Sequence, residues 1–352
     1  MIEGKLKHLQ FGLMAAKKSF SFKRWVNFLF NYFEHKKGKL ILQSYPRQAT
    51  IETINYCNLR CPACPTLTPF MRGKKRAMQA EDFKRIIDQI GDYLMFVAVS
   101  PSGEVFLNKD IWKIIQTLNK KRIFTFLESN FNLPSSEIVK KIIDSNLDYL
   151  SVSIDGASIK TYQQYRIGGN FTKVINNLKK LVSLKRKLKK TKPYIRWQFI
   201  SMKHNEQERE KAKELAKKIG LDEFSPWLPF APLAEYYVFQ ENEKTVEKID
   251  KKFSPQNKSY KIASSKDLLS CYQAFQETVI NVDGSVIPCC RLRGKEIIFG
   301  NIFTEKFSDI WNNHYFQFFR SNIIKMGENK NCRVCYQVNK KYLEDHPRQI
   351  KK

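Results

Sequence analysis

Cys57, Cys61 and Cys64 lie in the segment Asn55-Tyr-Cys-Asn-Leu-Arg-Cys-Pro-Ala-Cys-Pro65, a Cys-x3-Cys-x2-Cys array on one short loop. Three thiolates so placed can ligate three irons of a 4Fe-4S cluster and leave the fourth iron open to a reactant. Zinc is the plain alternative, but it takes four ligands, commonly with paired Cys-x2-Cys spacing, and no fourth ligand stands nearby. The remaining cysteines are Cys271, Cys289, Cys290, Cys332 and Cys335, far along the chain. Cys271 and Cys289 flank Val282-Asp-Gly-Ser285, a hairpin signal between residues 277–281 and 286–288, and Cys332-x2-Cys335 closes the unit. Four thiolates brought together by a hairpin and a later turn make a closed site, equally suited to zinc and to an iron–sulfur cluster.

The elements that must hold these residues are legible as an alternation. Strands are expected at 50–56, 94–100, 123–128, 148–154, 194–202 and 223–227, with helices near 80–93, 110–121, 135–145, 171–189 and 206–219. Six strand–helix units imply a parallel sheet curled into a barrel or part of one, with its chemistry at the C-terminal strand ends. The first cysteine array follows the first strand. Ser102-Gly103-Glu104 follows the second, Ser129-Asn130 the third, and Ser153-Ile-Asp-Gly156 ends the fourth. The rhythm is lost over 231–268, read as a linker or substrate-facing region between a core at 49–230 and a smaller unit at 269–337. A basic, aromatic-rich segment (1–48) and a basic tail (338–352) flank them, and no internal repeat is present.

The chain has 352 residues, 42% of them hydrophobic, with 14 Gly and 13 Pro, which predicts a folded core and excludes general disorder. No stretch approaches the roughly 18–20 apolar residues of a spanning helix, and the run 11–16 is too weak for a secretory core, so a cytoplasmic location is expected. Clustered cysteines in so large a chain favour metal over disulfides. A net charge of +28 would suit nucleic acid or an anionic membrane, but a Lys-, Asn- and Ile-rich surface bias explains it as simply. Residues 1–49 carry ten Lys/Arg against Glu3 and Glu34, with Trp25, Phe28, Phe30 and Tyr32 in the aromatic stretch 20–33. That stretch is either a basic amphipathic helix that touches a membrane or partner, or one that packs on its own domain, the favoured reading. Residues 179–196, with nine Lys/Arg and no acid, read as a solvated helix end.

At its first cysteine array the sequence resembles the radical S-adenosylmethionine (SAM) superfamily, and the resemblance covers about 49–337. It implies an α/β fold, a partial (β/α)6 TIM-type barrel, in which the amino and carboxylate groups of SAM chelate the open iron. One electron then cleaves the sulfonium to a 5′-deoxyadenosyl radical that abstracts hydrogen from a C–H bond. Ser102, Gly103 and Glu104 are similar to the family's Gly-Gly-Glu element, which binds the methionine ammonium, a role that suits a charge-assisted acceptor. Ser129-Asn130 is similar to a Thr-Asn-Gly turn, with Phe131 in place of the glycine. Ser153 and Arg166 resemble a serine near the cofactor and an arginine that pairs with its carboxylate. Ala63 stands where the family usually has a bulkier residue over the adenine.

Residues 269–337 resemble the family's SPASM/twitch extension, including Phe299-Gly-Asn-Ile302, Asp309-Ile-Trp311 and Arg320. The resemblance implies one auxiliary 4Fe-4S cluster on Cys271, Cys289, Cys332 and Cys335. Cys290 occupies the position of a general-base aspartate in sulfatase-maturating enzymes, which makes it a catalytic candidate; a buried free thiol is the plainer reading. Asp155 and Asp283 read as turn residues. The implied activity is that of a radical SAM oxidoreductase, producing a dehydrogenation or a cross-link and fed by a reductant such as flavodoxin or ferredoxin. Family substrates are peptides or small sugar-like alcohols; the lack of a winged-helix peptide-binding unit before Ala49 tilts the expectation to a small molecule, such as a carbohydrate. Two alternatives stand beside it. One is an RNA-modifying radical enzyme, suggested by the charge; the other is a non-catalytic metal-binding interaction protein that has kept the fold.

Overall fold

The computed structural model describes residues 2–62, 64, 74–99, 102–133, 135–227, 273–289 and 298–325. Six parallel strands follow the expected order: β1 (Gln48–Ile51), β2 (Phe96–Val99), β3 (Phe124–Ser129), β4 (Tyr149–Ser153), β5 (Tyr194–Ile200) and β6 (Glu223–Trp227). In β5 the period of two is plain: Ile195, Trp197 and Phe199 are buried, while Arg196, Gln198 and Ile200 are half-buried on the other, inner face. The connecting helices cover the outer face with apolar stripes. In the helix Ala80–Ile90, Phe83, Ile86, Ile87 and Ile90 recur at helical spacing and are fully buried. That helix was expected to reach residue 93, but it stops where Gly91 caps it through the Ile87 carbonyl. The helix Ser136–Asp144 starts because the Ser135 side chain accepts from Ile138 N.

The sheet does not end at β1. β7 (Glu277–Ile280) pairs with β1 in parallel, from Gln48↔Glu277 to Ile51↔Ile280, and the Thr50 hydroxyl donates to Glu277 at 3.0 Å. β8 (Ser285–Ile287) returns antiparallel, forming the hairpin expected there, and β9 (Gly300–Asn301) adds to it, so that among the described residues nine strands form one sheet in the order β6-β5-β4-β3-β2-β1-β7-β8-β9. Backbone pairing along an edge has no side-chain signature, so the sequence reads 269–337 as a separate unit while the strands run on as one sheet. Beyond β9, Trp311 donates to the Ser44 carbonyl and the buried Arg320 to the carbonyls of Ala274, Leu40 and Trp311. Burial pushes the Arg320 pKa down to about 9.

Two helices close the N-terminal end of the barrel, α1 (Ile2–Ser19) and α2 (Phe22–Lys36). Phe11 stands edge-on to Phe96, Phe124, Phe126 and Tyr149, with ring centroids 5.3–6.2 Å away. Lys18 pairs with buried Asp148, which also accepts from Lys192 and from Thr125 N. On α2, Arg24 donates to the carbonyls of Ser19, Gly91, Lys121 and Arg122, joining both helices to the loops that enter β2 and β3. Arg24→Met should therefore strand several buried acceptors and destabilise the protein by about 3 kcal/mol or more, read as a lower Tm and faster proteolysis of residues 1–40. Phe11, outside the stretch 20–33, packs on the domain; of that stretch itself the polar residues Arg24, Asn27 and Asn31 are buried, with Glu34 just past it, whereas the aromatics Phe22, Phe30, Tyr32 and Phe33 are exposed. Among the described residues no helix is long and apolar enough to cross a membrane.

Candidate functional site

The residues expected to do chemistry meet at the C-terminal end of the barrel. Past β1 the chain makes an isolated antiparallel bridge, Ile54↔Ala77, and then the cysteine loop. The loop is fixed by its own backbone, Cys64 N to Cys61 O and Arg60 N to Ile167 O, and by Leu59 N donating to Cys57 Sγ at 3.3 Å. Cys57 and Cys64 are half-buried, Cys61 is buried, and none is in a disulfide. Desolvation raises the Cys57 thiol to about 11 and the Cys61 thiol to about 12; Arg166 pulls both back down. Among the described residues no three His, Cys, Asp or Glu side chains converge where a single metal ion could sit. A mononuclear zinc site takes its four ligands on one ion, whereas a cluster takes each thiolate on a different iron. The three soft sulfur donors on one loop fit the cluster.

Gly103 packs against the stem of this loop. Its φ is +72°, and a Cβ there would lie 2.7 Å from the carbonyl oxygens of both Ile54 and Tyr56, so only glycine fits. Gly103→Ala should push the stem outward and destabilise the fold by about 1–3 kcal/mol, with iron retained less well after reconstitution. Its neighbour Ser102 is buried, and Glu104 is fully buried with its amide donating to the Tyr56 carbonyl at 3.0 Å. The Glu104 carboxylate accepts from the Ser129 hydroxyl at 2.6 Å and from Asn130 N at 2.7 Å. Burial raises its pKa to about 7, although those hydrogen bonds and Arg166 favour the charged form. The Asn130 amide group reaches Cys57 Sγ at 3.4 Å and Asn58 Oδ1 at 2.9 Å, tying the third strand's turn to the cysteine loop. Phe131, at the position where the resemblance implies a glycine, takes φ +59°; its fully buried ring holds it in that strained backbone.

Beyond β4, Ser153 is half-buried at the strand's last position. Asp155, expected as a turn residue, is instead a fully buried carboxylate that binds Arg166 through Nε at 2.7 Å and Nη2 at 2.6 Å and accepts from Ile200 N. The cause is tertiary: the short helix Ile159–Tyr165 returns Arg166 to the strand end, a fold-back that local sequence does not reveal. Arg166 Nη1 then lies 3.9 Å from Cys61 Sγ. Burial opposes its charge, but Asp155, Cys61, Tyr165 and Tyr162 outweigh that and hold its pKa above the usual value.

Sequence reasoning also missed the barrel's inner face. Arg196 on β5 lies 5.0–5.7 Å from the ring centroids of Phe126, Tyr149 and Trp227 and donates to Ser151 and Gln198. A period-two strand in a basic stretch was the available signal. Of the second cysteine set, Cys289 is buried just past β8. Cys271, Cys290, Cys332 and Cys335, with Ala63, the linker 231–268 and the tail 338–352, lie outside the described residues.

A family model of the Radical SAM superfamily matches residues 51–225, and one for SPASM, an iron–sulfur cluster-binding domain, matches 271–336. The chain is 26% identical over 184 residues to the AdoMet-dependent heme synthase of Methanosarcina barkeri, covering 51% of this chain and 50% of that one. It therefore spans about half of that relative's length. Streptococcus suis SuiB bound to SAM shares the fold with a TM-score of 0.62 at 19% identity, over 83% of this chain and 71% of that chain. The anSMEcpe structure with bound AdoMet and a Cp18Cys peptide does so with a TM-score of 0.55 at 15% identity, over 87% and 98%. With the family matched over the very strands that carry the cysteine loop, this chain belongs to the radical SAM superfamily, with a SPASM domain after its barrel, and its cofactors are SAM and iron–sulfur clusters.

Proposed function

We propose that this protein removes a hydrogen atom from a C–H bond of a small polar substrate, which leaves oxidised by dehydrogenation or by a new cross-link. The observation that carries this reading is the junction of Glu104, Asn130 and Arg166 with the cysteine loop. Cys57, Cys61 and Cys64 would hold the barrel cluster, and Cys271, Cys289, Cys332 and Cys335 the auxiliary one. When bound, the first supplies the electron that cleaves the sulfonium and so starts hydrogen abstraction, and the second an acceptor for the electron the substrate gives up. Glu104 accepts from the methionine ammonium, with Ser102 and Gly103 shaping the backbone beside it. Arg166, held by Asp155, presents its remaining edge to the cofactor carboxylate, and Ser153 offers a hydroxyl from the neighbouring strand. Asn130 orients the loop through Cys57. Cys290 exchanges a proton or hydrogen with the substrate.

A small substrate is favoured by the polar layer on the inner face, where Arg196 donates to Ser151 and Gln198. A peptide side chain is the second reading, in keeping with SuiB and anSMEcpe, each crystallised with a peptide. The test is anaerobic reconstitution with dithionite standing in for flavodoxin or ferredoxin. About eight irons per chain, 5′-deoxyadenosine release, and deuterium passing from a C-deuterated polyol into 5′-deoxyadenosine would support the proposal. Zinc in place of iron would sink it, and deuterium transfer from peptides alone would select the second reading.

A further inference from the structure

α2 is built inside out. Its polar residues Arg24, Asn27, Asn31 and Glu34 recur at a spacing of three and four, which puts them on one face, and all four are buried. Each is held by specific bonds. Arg24 takes four carbonyls, and Asn27 exchanges two hydrogen bonds with the Tyr45 backbone. Asn31 donates to the Phe275 carbonyl, and Glu34 accepts from the amides of Gln43 and Ser44. The helix is thus fastened without its apolar side chains. Those face outward: Phe22 is 84% exposed, Phe33 56% and Leu29 49%, and Ile41 extends the patch at 61%. A groove of about 380 Å³ runs alongside, lined by Phe22, Val26, Phe30 and Tyr93. Exposing this much aromatic surface is costly unless something covers it.

Charge identifies the cover. Between residues 9 and 41 the only acid is Glu34, and it is buried, whereas Lys36 and Lys37 at the end of α2 are exposed; Asp92, next to Tyr93 of the groove, is paired with both Lys23 and Lys121. A two-fold contact with a second copy would oppose these lysines to their own equivalents, with no acid from this segment to meet them. Apolar rings rimmed by lysines, with Trp25 and Tyr32 among them, match the interface of an anionic bilayer, where rings enter the acyl boundary and ammoniums meet headgroup phosphates. We propose that α2 docks this end of the protein onto an anionic lipid surface, lying in the plane of the interface. Because Arg24 ties α2 to the loops that enter β2 and β3, the docked face is the N-terminal end of the barrel. The cysteine loop lies at the other end and so faces the water, which places the reaction away from the lipid.

Flotation of the full, anaerobically reconstituted chain with phosphatidylcholine vesicles, with and without about one-third phosphatidylglycerol, tests this. The wild type should float with the anionic vesicles and far less with the neutral ones. The double variant Phe22→Glu/Phe33→Glu should partition about a hundredfold less. It should keep the wild-type circular dichroism and 5′-deoxyadenosine release, since neither ring supports the fold or the site. Lys36→Gln/Lys37→Gln should weaken only the anionic preference. Flotation of the Glu variant equal to wild type, or no flotation of wild type, would overturn the proposal. So would sedimentation as a lipid-free dimer that the Glu variant dissolves, which would assign the face to a second copy.

Discussion

Cys61→Ala, reconstituted anaerobically, should hold about four irons per chain where the wild type holds about eight, and its dithionite-driven release of 5′-deoxyadenosine should fall to background. Cys61 is the most buried thiol of the loop, and desolvation lifts its pKa to about 12, so at neutral pH it gives up its proton only to a metal. Arg166 beside it offsets the charge of the sulfur once metal has taken the proton's place. Without that sulfur, Cys57 and Cys64 offer two ligands where the cluster needs three. Cys289→Ala is the complementary case: iron should again fall by half, but SAM cleavage in the absence of substrate should survive. Equal loss of cleavage in both variants would mean that the two cysteine sets do not serve separate clusters. Iron counting and product chromatography on the same samples decide it.

The second large effect is expected at Glu104. Its pKa is raised to about 7 from the ordinary 4.5, with burial the dominant cause, so the folded protein prefers the protonated acid. A raised carboxyl pKa gives a stability contribution that is complete below about 4.5 and lost as pH rises to about 7 and above. Ligand-free protein should therefore lose thermal stability across that window. SAM binding should run the other way, because only the carboxylate attracts an ammonium: affinity should fall about tenfold per pH unit below 7 and level off above it. Glu104→Gln should cost about a hundredfold in SAM affinity and flatten the profile, while its stability at pH 8 should match or exceed that of the wild type because no buried charge remains. Binding titrations at pH 6, 7 and 8, with Tm measured in parallel, separate the two effects. An affinity independent of pH would remove Glu104 from the ammonium site.

What the sequence showed follows from which forces are local. β6 was expected at 223–227 and lies there, because its ends are set by the turn after Gly220 and by its own pattern. The loop residues were legible for the same reason: Cys57, Gly103 and Asn130 each lie within six residues of the end of a strand. Asp155 was misread because its partner arrives by way of an intervening helix, and a buried ion pair leaves no trace in either flank. α2 was misread because patterning assumes that apolar residues face inward, and here four polar side chains found enough fixed partners to reverse it. The pairing of β7 with β1 involves backbone groups that every residue carries, so no pattern could announce it.

That last pairing also sets a timetable for synthesis. β1 leaves the ribosome early, yet the strand that covers its second edge follows 229 residues later, the separation between Gln48 and Glu277. At about 5–20 residues per second, β1 waits roughly 10–50 s with a row of unpaired amides and carbonyls. During that interval the strand that leads into the first cysteine array is open to pairing with any other exposed edge. Production of this protein should therefore be limited by aggregation of half-made chains more than by the stability of finished ones, and slower initiation or cooler growth should raise the folded yield.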